Sequence, residues 1–88
     1  MYNTTLVTQP RTKALAEFYS APDTALFNQF VVAHVRDCST ATLERDRWRG
    51  GGIPFIKVGR AVKYRKSDVL AWLDQYQPQL STSEVIGA

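Results

Sequence analysis

The sequence predicts a small α+β domain in which a helix-turn-helix is followed by a two-stranded hairpin and a closing helix. Helical apolar spacing runs from Asn28 to Arg49 and is interrupted once, at Arg36-Asp37-Cys38. Two short alternating runs then meet at Val58-Gly59-Arg60-Ala61, a hairpin pattern. A last apolar stripe starts after Ser67 and stops before Pro78.

Residues 1–24 read as an N-terminal arm with a short helix, 25–77 as the domain proper, and 78–88 as a flexible tail. Thr12 can cap a helix over Lys13 to Tyr19 that places Leu15, Phe18 and Tyr19 on one side. So short a helix needs something to pack against. Its three large side chains either cover the domain's own core or dock onto a neighbouring copy, with Val85 and Ile86 as a further protomer contact. Ser20-Ala21-Pro22-Asp23 breaks the helix.

Asn28 is a good N-cap for a helix reaching Arg36, with Phe30, Val31, Ala33 and His34 at helical spacings. Asp37 is placed to take the left-handed conformation that ends it. Ser39 caps the next helix, which runs to Arg49 and stops at Gly50-Gly51-Gly52, a flexible joint. In the hairpin, Ile56 and Val58 face one way and Lys57 the other. After the turn, Val62 and Tyr64 face the core, and Lys63 and Arg65 face water. Glycine first in the two-residue Gly59-Arg60 loop suits a type II′ turn. Ser67 caps the final helix, with Asp68 at its positive end, and Val69, Leu70, Trp72, Leu73 and Tyr76 form its apolar face.

At 88 residues the core is small and the stability margin thin. Cys38 is the single cysteine, so an intrachain disulfide is excluded, and no Cys/His cluster suggests a structural metal. Part of the stabilisation is therefore expected from a ligand or from neighbouring copies. No apolar run approaches a membrane span and no signal peptide pattern opens the chain, so a soluble, cytoplasmic protein is expected. The triple glycine lacks the Lys-Ser/Thr of a phosphate loop. His34, Ser39 and Ser81 have no catalytic partners nearby in sequence, so neither catalysis nor a cofactor is expected.

The net charge is +3, but its distribution matters more. Residues 1–38 hold three bases and three acids, whereas Arg45, Arg47, Arg49, Lys57, Arg60, Lys63, Arg65 and Lys66 all fall between Ser39 and Lys66, against Glu44 and Asp46. A basic helix followed by a basic hairpin suits double-stranded DNA, the helix in one groove and the loop in its neighbour. At about 100° per residue, Ala41, Glu44, Arg45 and Trp48 share one quadrant, flanked by Thr40, Thr42 and Arg49, with Leu43 opposite. Arg45 can reach the paired acceptors of guanine; Glu44 either accepts from a cytosine amino group or holds Arg45. The amides after Ser39 suit a phosphate. Arg60, at the hairpin tip, can enter a minor groove, and Lys57, Lys63 and Arg65 suit phosphates.

The run Ala33, Ser39, Thr42-Leu43, Arg45, Pro54-Phe55, Lys57-Val58-Gly59-Arg60, Tyr64-Arg65, Ser67-Asp68 and Ala71-Trp72-Leu73 resembles the excisionase and recombination-directionality-factor family, with its MerR-like and AlpA-like winged helix-turn-helix domains. The likeness covers a little over half the chain, from Asn28 to Tyr76, and its second half is the more specific. It implies a bacterial, nucleoid-associated DNA-bending protein that binds adjacent sites cooperatively at an attachment site. Such a protein self-associates head to tail and promotes excision of a mobile element by a tyrosine recombinase. Arg45 corresponds to the family's major-groove reader and Arg60 to its wing residue. Asp37 stands where the family prefers Gly, Cys38 where it has Val, and Asp46 where it has an aromatic or aliphatic residue. Trp48 then has four possible partners: the core, the wing, the DNA backbone or a neighbouring subunit. The alternatives are a small transcription regulator of the same fold and a protein-binding adaptor that does not read DNA.

Overall fold

The computed structural model describes residues 10–80. Over these, four helices and a three-stranded antiparallel sheet follow in the order α1 (Pro10–Ser20), β1 (Leu26–Phe27), α2 (Gln29–Arg36), α3 (Thr40–Arg49), β2 (Ile56–Val58), β3 (Ala61–Arg65) and α4 (Lys66–Leu73). The architecture is a small α+β fold.

The α2-turn-α3 unit forms as its sequence dictates. The Asn28 side chain accepts from the Val31 amide at the start of α2. At its end Asp37 is left-handed at φ 62°, and the Cys38 and Asp37 amides donate back to Ala33 and His34. That pair of bonds is a Schellman motif, which satisfies carbonyls that a helix end otherwise strands. Ser39 begins α3, its hydroxyl accepting from the Thr42 amide at 3.1 Å.

The sheet is larger than the expected two-stranded hairpin. Leu26 and Phe27 pair with Arg65 and Tyr64, so β3 lies between β1 and β2. Two residues show no alternation, which hides such a strand in the sequence. The hairpin register sets Val58 opposite Ala61, Lys57 opposite Val62 and Ile56 opposite Lys63. Cross-strand partners share a face, so Ile56 and Val58 lie on the side away from Val62 and Tyr64. Gly59 has φ 62°, while Asp37 is the only non-glycine with positive φ among the described residues; Arg60 is therefore negative, the type II′ pattern.

Phe18, Val32, Ala33, Leu43, Ile53, Tyr64, Val69 and Trp72 form one core. Phe18 is fully buried, its ring 5.1 Å from that of Phe27. It is a core residue and not a protomer contact, because α1, three residues longer at its start than expected, packs along α2. Leu15 is half-buried and Tyr19 is 55% exposed. Val85 and Ile86 lie outside the described residues.

The start of α4 differs from expectation. Ser67 is inside the helix, and Arg65 occupies the cap position without a side-chain bond. The Lys66 and Ser67 amides instead donate to the carbonyls of Ala25 and Asp23, so the turn before β1 caps α4. The helix ends at Leu73; Tyr76 lies beyond it, its ring 5.0 Å from Trp72.

Candidate nucleic-acid interface

The exposed side of α3 carries Ala41, Glu44, Arg45, Trp48 and Arg49, while Leu43 points inward at 2% exposure. Trp48 is 90% exposed, which rules out its core role. The Ser39 hydroxyl is committed to capping and lies 3.1 Å from the Thr42 hydroxyl, so these two groups serve the helix start first. Thr40 is half-buried beside them. Glu44 does not hold Arg45; it accepts from the Gln29 amide at 3.1 Å.

The other α3 carboxylate, Asp46, accepts from Arg36 at 2.7 Å in a part-buried pair. The Arg36 guanidinium lies 4.4 Å from the Trp72 ring centre, so this contact joins α2, α3 and α4. Asp46 thus has a structural task. Gly52 fits beneath it: an added Cβ would meet the Asp46 Cβ at 2.7 Å.

Among the eight bases between Ser39 and Lys66, the structure separates two groups. Arg45, Arg49, Lys57 and Arg60 are exposed and Lys63 half-buried, and none forms an ion pair among the described residues. Arg65 leans on Asp68 at 3.6 Å, at the far end of β3 from the hairpin tip. Arg47 donates to the Tyr64 hydroxyl at 2.7 Å and lies 5.8 Å from the Phe55 ring centre. It sits one turn after Leu43, on the inward side of α3, and that spacing is the signal for an internal partner. Lys66 is buried, donating to the carbonyls of Tyr19 and Ala21 at 3.1 and 2.7 Å.

Arg60 and Lys63 reach a common cleft with Arg47 and the first residues of α2. Leu15 and Tyr19 belong to α1 and do not join it. Among the described residues no group of three His, Cys, Asp or Glu side chains is placed to hold a metal ion, and no helix is long and apolar enough to cross a membrane. What this chemistry offers is binding by donors and positive charge. No protein-family model matches the sequence, and no curated protein matches it either.

Proposed function

We propose that this protein is a winged helix-turn-helix DNA-binding protein that acts as an excisionase, with α3 in the major groove and the β2–β3 hairpin as the wing. The observation that carries the reading is the division of charge. On α3 and the hairpin the cations Arg45, Arg49, Lys57, Arg60 and Lys63 are left without ion pairs among the described residues, while both acids of α3 are occupied by Gln29 and Arg36. Arg45 reads a base edge, and Glu44 is turned to Gln29 and positions the helix. Trp48, beside Arg45 and Arg49 on the same exposed side, packs against the DNA sugar-phosphate or a thymine methyl. Binding of several copies side by side, through Leu15 and Tyr19, bends the attachment-site DNA for a tyrosine recombinase.

Gel shifts on the region flanking the gene test this. Arg45→Ala is expected to erase sequence preference, and Lys57→Ala to weaken all DNA about equally and lower the salt slope by about one. If neither variant changes the shift, the groove assignments are wrong. Absence of bending in permuted fragments removes the excisionase role and leaves a regulator of the same fold.

A further inference from the structure

The hairpin does not stand clear of the helices. Between it and the start of α2 lies an open cleft of about 320 Å³, lined by Arg47, Arg60 and Lys63 together with Asn28, Gln29 and Phe30. Three cations from two elements border one small volume, and no acidic side chain lines it. Of the α3 carboxylates, Asp46 is paired with Arg36, and Glu44 stands behind the lining, accepting from the Gln29 side chain. Three like charges around a volume that no acid lines repel one another, and an anion among them reverses the sign of that interaction.

Arg47 is also held in place. Its Nη1 donates to the Tyr64 hydroxyl, on a tyrosine that is itself fully buried, which leaves other guanidinium donors for a ligand. The positive end of the α2 dipole lies at the same cleft, since Asn28 and Gln29 are its cap and first residue. Arginine and lysine together around one site, with a helix start beside them, form the chemistry that takes a phosphate.

We infer that this cleft is a phosphate site, occupied by one phosphodiester of the DNA backbone. Arg47 and Lys63 bind its oxygens, and Arg60 closes the rim on its way to the minor groove. Tyr64 is a positioning residue that aims Arg47. The inference deepens the DNA-binding reading and rests on it for the source of the phosphate.

Two measurements on the full chain test the site separately from that reading. In thermal unfolding, inorganic phosphate is expected to raise the wild-type melting temperature above that in sodium chloride of equal ionic strength. Arg47→Gln should lose this excess. Tyr64→Phe, which keeps every charge, should reduce it, and carries the test if Arg47→Gln does not fold. In binding, DNA carrying a single neutral methylphosphonate is scanned along the site. One position should weaken wild type roughly tenfold, about the loss of one charge-assisted contact, less so in Arg47→Gln, and be silent once both Arg47 and Lys63 are replaced by Gln. Because Arg47 and Lys63 serve one phosphate, removing both should lower the salt slope by about one, where separate phosphates give about two. Phosphate-specific stabilisation without DNA binding upholds the cleft and removes the DNA reading. DNA binding with no silent position and no phosphate-specific stabilisation overturns the cleft and leaves the DNA reading intact.

Discussion

Asp37 holds its left-handed backbone at a cost that a glycine would not bear. Its ion pair with Arg11, at 3.0 Å, returns little, because the two side chains are 50% and 79% exposed. Asp37→Gly is therefore expected to stabilise the fold by about 0.5–1 kcal/mol in urea unfolding. A loss of stability would show that the Arg11 contact outweighs the backbone strain. Trp48 offers a direct optical readout, because the other tryptophan, Trp72, is 8% exposed and lies against Arg36. If α3 enters DNA, binding should shift or quench emission from Trp48, and Trp48→Phe should abolish the change. Cys38 supplies a pH signature. Burial raises its thiol above the ordinary 9.0, the nearby Arg36 charge opposing and Asp46 and Asp37 adding. The folded chain thus keeps this proton to higher pH than the unfolded chain does. The associated stability is complete below about pH 9 and declines as the pH rises through the raised value. Cys38→Val should flatten that decline, measured by urea midpoints from pH 8 to 10.

At the scale of elements, α1 is fastened from two sides, by the buried Phe18 ring and by the Lys66 ammonium on the carbonyls of Tyr19 and of Ala21 just past its end. Phe18→Ala is expected to cost about 3–5 kcal/mol, comparable to the whole margin of a domain this small. Lys66→Met removes two charge-assisted bonds and should cost about 2–3 kcal/mol. Equal urea midpoints for wild type and either variant would mean that α1 is not part of the cooperative fold. The Phe18 fastening was one of two readings that the sequence left open, and the Lys66 fastening was not legible at all. Phe18 stands on a short helix of weak amphipathicity, and Lys66 closes a run of bases whose other members read as surface. The legible parts were those with local chemistry: the Asn28 and Ser39 caps, the left-handed turn at Asp37 and the Gly59-Arg60 loop. What depends on distant partners was hidden. The pairing of Leu26-Phe27 with β3, the capping of α4 by Asp23 and Ala25, and the inward turn of Arg47 to Tyr64 are all of this kind.

For the molecule as a whole, the sorting of charge matters more than its net value of +3. Arg36, Arg47 and Lys66 make internal contacts, and the remaining cations of α3 and the hairpin form the outward face. If that face meets a duplex, the affinity should fall with salt at a log–log slope between about −3 and −5, from about 0.9 per neutralised phosphate. A slope near zero would favour the adaptor reading instead.

The bonds from Lys66 to Tyr19 and Ala21 span 47 and 45 positions. A chain under synthesis therefore cannot complete the hold on α1 until Lys66 has been made and has left the ribosome. We expect released chains truncated before Lys66 to leave that helix open to proteases, and released chains extending through Leu73 to shield it. Early shielding would mean that the helix finds another hold first.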